Sequence, residues 1–311
     1  MKVLFLSRID EEAISYLKGK IETEVRFDLG EGEISEIVGD FHALIVRSKP
    51  KIGKEILKRA KNLKVIGRAG VGLDNIDLDF CRDNKIEVIN TPKALTESVA
   101  EHVFALLLSF ARGIPKADSG MREGKWLKKE LRGSELCGKI LGVLGFGRIG
   151  FRISEIAKCF GMRVLAHDVI DIREVARKVS ADVVSFEELL RRSDFVSLHV
   201  PLLSSTKDLI SERELKMMKN SAVLINTSRG AVVNEDALLN ALRRGEIAGA
   251  CLDVFSKEPP KNSKLLELEN VILTPHIASN TKEAQKRTGM ECVQKVLEVL
   301  EGKNDIFNRC I

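Results

Sequence analysis

Short apolar runs recur along the first part of the chain: "VLFL" at 3–6, "ALIV" at 43–46, "LKVI" at 63–66 and "IEVI" at 86–89. Charged amphipathic segments such as "KEILKRAK" (54–61) lie between several of them. Strands alternating with helices predict a parallel sheet with crossover connections. The pattern starts afresh at "KILGVLG" (139–145) and continues through "RVLAHD" (163–168), "DFVSLHV" (194–200), "AVLINTS" (222–228), "IAGACLDV" (247–254) and "VILTPH" (271–276). Two α/β units are therefore expected. Between them, "TESVAEHVFALLLSFAR" (96–112) predicts a long helix with Thr96 as its N-cap. Its apolar residues occupy more than one face, which predicts burial between domains or subunits. A last helix over roughly 280–301 is expected to return the chain to the first unit and make that unit discontinuous.

Composition narrows the picture. A chain of 311 residues has room for two domains. Its net charge of +5 is spread among interleaved carboxylates, which marks a solvated surface rather than a nucleic-acid patch. A modest positive balance also suits a small anionic substrate. The six cysteines lie far apart without a C-x-x-C, so reduced thiols and a cytoplasmic setting are the expectation, with no metal site. "VFALLLSFA" (103–111) is about half a membrane span, and the N-terminus becomes charged too soon for a signal peptide, so no membrane partner is expected.

Chemistry enters at "KILGVLGFGRIG". Gly145, Gly147 and Gly150 stand in G-x-G-x-x-G register directly after a predicted strand and ahead of a predicted helix. The first glycine permits a tight turn, the second a close backbone approach to a pyrophosphate, and the third close helix–strand packing. The helix N-terminus then offers free N–H groups to the phosphates. Asp168, eighteen residues past Gly150 at the end of the next strand, suits the two ribose hydroxyls and repels a 2′-phosphate. The expected cofactor is NAD rather than NADP.

Three later strands deliver further groups to the edge where open parallel sheets bind ligands. "LINTSRG" brings Arg229, "CLDVFSKEPP" brings Asp253 and Glu258, and "VILTPHIAS" brings His276. Hydride transfer from a 2-hydroxy acid needs such a trio. A guanidinium fork holds the carboxylate, an imidazole takes the hydroxyl proton, and a carboxylate fixes the imidazole tautomer. Gly230, behind the arginine, is expected to leave it room.

At this point the chain resembles the D-isomer-specific 2-hydroxyacid dehydrogenase family over essentially its whole length. The likeness rests on "GRAGVGLDNID" (67–77), "VINTP" (88–92), "GKWLKKELRGSEL" (124–136), "LGFGRIG", "SLHVPL" (197–202), "NTSRG", "LDVFSKEP" (252–259) and "TPHIAS" (274–279). The resemblance implies an α/β fold of two Rossmann-like or flavodoxin-like doubly wound parallel-sheet domains. A discontinuous substrate domain would span 1–96 and 283–311, and an NAD-binding domain 97–282. It makes Arg229 the carboxylate ligand, His276 the acid/base and Glu258 its partner. It also implies NAD contacts from Arg148, Ile149, Asp168, Val200, Thr227, Asp253 and His276. Of the other histidines, His102 is expected to pack on the long helix and His199 to border the cofactor without doing chemistry.

The first unit is expected to supply further substrate ligands. Arg47 and Arg68 each follow a predicted strand, and Gly70, Val71 and Gly72 form a flexible turn beside them. Two arginines apart from the carboxylate site suit a phosphorylated tail, and within the family the resemblance is nearest to members that oxidise D-3-phosphoglycerate. The alternatives are reduction of glyoxylate or hydroxypyruvate, and a non-catalytic NAD(H)-sensing protein. The resemblance implies a homodimer built on the cofactor domain. Some members carry an additional C-terminal serine-binding domain; this sequence stops soon after the last helix, so no serine feedback is expected.

Overall fold

The computed structural model describes residues 1–303 and divides the chain into two compact units, Met1–Leu95 with the residues from Asn280, and Thr96–Ser279. Cys310 and the end of the expected substrate domain lie outside the described residues.

The first unit holds a five-stranded parallel sheet: β1 (Lys2–Phe5), β2 (Glu22–Val25), β3 (Ala43–Val46), β4 (Val65–Arg68) and β5 (Glu87–Asn90). Their spatial order is β2-β1-β3-β4-β5. Both faces are covered, one by Ile34, Val38, Phe41 and Ile56, the other by Ala13, Leu17, Cys292, Val293 and Val296. The last three belong to the last helix, Lys282–Leu300, so the chain does return to this unit. Gly67 explains how closely it docks on β4: a Cβ there would lie 2.5 Å from Val296 Cγ2. Three details differ from the sequence reading. β2 is an added strand, "ETEV", invisible to an apolar pattern because an edge strand with one neighbour can stay polar. The segment 54–61 is helical only over Lys54–Leu57. Arg68 is the last residue of β4 itself rather than following it, whereas Arg47 does directly follow β3.

The second unit holds seven parallel strands: β6 (Ile140–Leu144), β7 (Arg163–His167), β8 (Asp182–Val183), β9 (Phe195–Leu198), β10 (Val223–Asn226), β11 (Gly249–Leu252) and β12 (Val271–Leu273). Their order, β12-β11-β10-β9-β6-β7-β8, reverses direction between β6 and β9. That switch point is where an open α/β sheet leaves a crevice at its carboxyl edge. The two-residue β8, exposed at the far edge, is also absent from the apolar pattern. The long helix Thr96–Arg112 buries Val103, Phe104 and Leu107 in one cluster with Val143, Ile225 and Cys251 of this sheet. Gly249 permits the approach, since a Cβ there would meet the Phe110 ring at 2.2 Å. Thr96 is the first helical residue, not the N-cap, a shift of one position at a helix end. Among the described residues no helix is long and apolar enough to cross a membrane, and no cluster of side chains is arranged to hold a metal.

Candidate active site

β6 ends at Leu144 and the chain turns through Gly145 at φ +91. A Cβ on Gly145 would lie 2.7 Å from the His199 carbonyl carbon, and one on Gly150 would lie 2.4 Å from the Gly145 carbonyl oxygen. These two glycines therefore close the loop upon itself and upon the β9 tip. Gly147 is different: a Cβ there would meet nothing within 4 Å, so its backbone faces open space at the start of the helix Arg148–Cys159. The first N–H groups of any helix lack intrahelical partners, and here they flank that open side. Arg148 is exposed, while the Ile149 side chain packs toward the core.

Asp168 stands at the tip of the neighbouring β7, half-buried, and its Oδ2 accepts the Phe146 N–H at 2.7 Å. The acid thus ties the β7 tip to the glycine loop, a task the sequence alone does not show. Val169 and Ile170 beyond it are exposed and apolar. The next cation, Arg173, is engaged by Asp171 through contacts of 2.9 and 2.6 Å. That guanidinium holds the Asp171 carboxyl down to about 2. Across the switch point, Val200 is half-buried, and Thr227 Oγ1 is buried without a hydrogen-bond partner among the described residues. An orphaned hydroxyl, an open glycine and an acid at the strand end fit the dinucleotide that the sequence implies. His199 lies beside them, but burial pushes its imidazole down to about 3 and its Nε2 meets Ser197 Oγ at 2.7 Å, so it stays neutral and structural.

The tip of β10 shows how a buried strand delivers an arginine. Asn226 is 1% exposed; its Oδ1 accepts the Ser228 N–H (3.0 Å) and hydroxyl (2.8 Å), and its Nδ2 donates to the Arg229 carbonyl (2.9 Å). This side-chain-capped turn presents Arg229, half-buried, with Nη1 donating to the Ser228 carbonyl at 2.8 Å. Gly230 serves a different purpose from the one expected. A Cβ there would lie 1.9 Å from the Phe255 carbonyl carbon, so the glycine admits the backbone of the following segment rather than making room for Arg229. That segment carries Glu258.

Glu258 Oε1 accepts the Phe255 N–H at 3.1 Å, and its Oε2 meets His276 Nδ1 at 2.8 Å. The structure therefore brings these two together across eighteen residues. His276 sits at φ +54, a left-handed conformation that costs a non-glycine residue roughly 1–3 kcal/mol. Its N–H donates to the Asp253 carbonyl at 2.8 Å. The Asp253 side chain, fully buried, accepts from Thr274 Oγ1 (2.5 Å), Ile277 N (2.9 Å) and Ala278 N (2.8 Å). Burial alone would raise its pKa, yet donors including His102, Thr274 and these two amides hold it below the ordinary value. Asp253 is thus the hub of the loop carrying His276. His102 does more than pack on its helix: its Nε2 lies 3.1 Å from Thr274 Oγ1 and 3.4 Å from Asp253 Oδ1.

In the first unit, Arg47 and Arg68 stand at the carboxyl ends of adjacent strands, β3 and β4. A Cβ on Gly70 would lie 1.3 Å from Arg68 Nη1, and Gly70 has φ +146, so only glycine lets that guanidinium fold against the turn. The turn is pinned by Asn90 Nδ2 donating to the Val71 carbonyl (2.8 Å) and Thr91 N–H donating to that of Gly70 (2.9 Å). Gly72 is half-buried beside them. Asn75, which sequence reasoning passed over, donates to the Arg47 and Pro50 carbonyls at 2.9 Å each and holds the β3 loop. The Arg47 guanidinium is half-buried, burial lowers its pKa, and it has no hydrogen-bond or ion-pair partner among the described residues. Lys49 and Lys51 are exposed.

Comparison with known proteins adds to this geometry. Residues 104–278 match the D-isomer specific 2-hydroxyacid dehydrogenase, NAD binding domain. A D-3-phosphoglycerate dehydrogenase of Archaeoglobus fulgidus is 43% identical over 97% of this chain, which spans 58% of that relative's length. A glyoxylate reductase of Thermococcus litoralis is 45% identical over 95% of this chain and 92% of its own. The crystal structure of Aquifex aeolicus D-lactate dehydrogenase with NAD and lactic acid superposes with a TM-score of 0.85 at 34% identity, covering 96% of each chain.

Proposed function

Because the chain belongs to the D-isomer-specific 2-hydroxyacid dehydrogenase family and carries its NAD binding domain, we propose that it oxidises D-3-phosphoglycerate to 3-phosphohydroxypyruvate. The observation that carries the choice of acid is Arg47, a half-buried guanidinium at a strand end with no partner among the described residues. Such a group calls for an anion, and a phosphate shared with Arg68 supplies one.

Arg229 binds the substrate carboxylate through its fork and polarises the forming carbonyl. The Glu258 carboxylate in the 2.8 Å contact accepts, which places the proton on His276 Nδ1 and leaves Nε2 with its lone pair. His276 Nε2 takes the hydroxyl proton as the substrate C2–H bond breaks and C2–O becomes a carbonyl. Bound NAD supplies the hydride acceptor for that step. Gly145, Gly147, Gly150 and the amides of Arg148 and Ile149 would hold its pyrophosphate, and Asp168 its ribose. Val200, Thr227 and His276 would contact it farther along, whereas Asp253, also expected to touch it, is wholly buried and taken up by its own loop. Asp168, with Arg173 occupied by Asp171, supports NAD over NADP.

A homodimer through the second unit belongs to the same proposal, supported by the exposed Ile114, Met121 and Trp126, the last 75% exposed. So does a cytoplasmic place at the first step of serine biosynthesis. Reduction of glyoxylate is the second reading, favoured by the 45% identity to the Thermococcus enzyme.

The test is Arg47→Ala and Arg68→Ala. Charge-assisted hydrogen bonds are worth roughly 1.5–3 kcal/mol each, so each change should lower kcat/KM for D-3-phosphoglycerate about 10- to 100-fold. Activity on D-glycerate should be low and nearly unmoved. Equal losses on both substrates would contradict the phosphate assignment and leave the family chemistry standing.

A further inference from the structure

The loop Thr274–Ala278 holds a histidine in a strained backbone conformation, and something must fix it there. Its internal bonds converge on Asp253, which accepts from Thr274, Ile277 and Ala278 while its carbonyl accepts the His276 N–H. All of these groups lie within twenty-six residues of one another, on β11, β12 and their loops. A side-chain tie leads from this hub to His102 on the long helix, 151 residues before Asp253 in the sequence. His102 is largely enclosed, with 17% of its side chain exposed.

The direction of that tie follows from proton counting. A threonine hydroxyl has one hydrogen, and Thr274 spends it on Asp253 Oδ1 at 2.5 Å. Toward His102 the Thr274 oxygen can therefore only accept, as can the Asp253 carboxylate. His102 Nε2 must carry the proton and donate it into the hub. The long helix is a seventeen-residue element packed on the same sheet, so this donor ties the loop to a separate element of the unit.

We infer that His102 is a positioning residue for the reaction: its Nε2–H, given to the Thr274–Asp253 pair, holds His276 in the backbone conformation from which it takes the substrate proton. The inference rests on the reading of His276 as that proton acceptor. Without the donor, Thr274 and Asp253 retain each other, but the loop loses its bond to the helix and His276 samples other orientations. Misplacement of a reacting group by about an ångström can cost on the order of 100-fold.

The experiment compares His102→Ala, His102→Gln and His276→Ala with the unmodified protein. Four quantities are read: kcat, KM, NADH affinity, and amide hydrogen exchange at Ile277 and Ala278 in the protein without substrate. His102→Ala should lower kcat about 10- to 100-fold, leave KM and NADH affinity within about twofold, and speed exchange at those two amides more than in the core strands. His102→Gln, whose amide N–H can donate, should recover most of the lost kcat and protection. If His102→Ala lowers Tm and protection uniformly, with KM and kcat changing together, or if glutamine rescues nothing, the positioning role fails. If His276→Ala abolishes turnover while His102→Ala leaves kcat intact, the inference alone fails. If His276→Ala leaves kcat unchanged, the proton-acceptor reading fails first.

Discussion

Asp168 and Asp253 are two aspartates at strand ends, and their surroundings give them different work. Asp168 is half-buried, with one oxygen spent on the Phe146 amide of the glycine loop. Asp168→Ala should therefore narrow the preference for NAD over NADP and also weaken NADH binding, because the loop loses an acceptor. Steady-state kinetics with both cofactors and a direct NADH titration check this; equal efficiency with NAD and NADP in the unmodified protein would sink it. Asp253 is wholly buried and held below its ordinary pKa by its donors, which outweigh the burial that would raise it. A carboxylate depressed in the folded state contributes stability that is present above its unfolded value, near 3.8, and is lost as pH falls through the folded value. Asp253→Asn leaves buried N–H donors facing an amide and should cost roughly 1–3 kcal/mol at pH 7. The gap in Tm between variant and unmodified protein should shrink as the pH drops below about 4. A gap that stays constant down to pH 3 would remove the charge from the explanation.

At the scale of elements, the sequence was most legible where chemistry and packing made the same demand. The glycine register could be read because Gly145 and Gly150 are each crowded by backbone and Gly147 is open. The association of Glu258 with His276 followed from the family resemblance, since the residues alone offered Asp253 as well, and the 2.8 Å contact unites them. Polar edges were not legible: β2 and β8 pair on one side only and need no apolar run. Nor was the meeting of His102 with Asp253, since a histidine on a helix gives no sign of a partner so far along the chain. Gly230 was singled out for the wrong reason, because a strand tip viewed in sequence does not show which other segment will cross it. Its steric role predicts that Gly230→Ala, with a Cβ 1.9 Å from the Phe255 carbonyl carbon, displaces the segment that carries Glu258. Such overpacking costs typically ~1–3 kcal/mol. Thermal unfolding and kcat should both fall, and a variant unchanged in both would contradict the close approach.

Across the whole molecule, each of the two units is a parallel sheet with its candidate site residues at the carboxyl edge. Arg47 directly follows β3 and Arg68 ends the neighbouring β4 in the first, and Arg229, Glu258 and His276 follow three successive strands of the second. In the proposed function the family relation gives the reaction type, and the arginines of the first unit give the choice of acid. Substrate choice is therefore the claim on which the account turns. The most direct measurement is kcat/KM of the unmodified protein, in the reducing direction with NADH, for 3-phosphohydroxypyruvate, hydroxypyruvate and glyoxylate side by side. One to two charge-assisted contacts to a phosphate predict that 3-phosphohydroxypyruvate exceeds the other two by at least ~10-fold. Glyoxylate or hydroxypyruvate reduced as well as, or better than, the phosphorylated acid would contradict it.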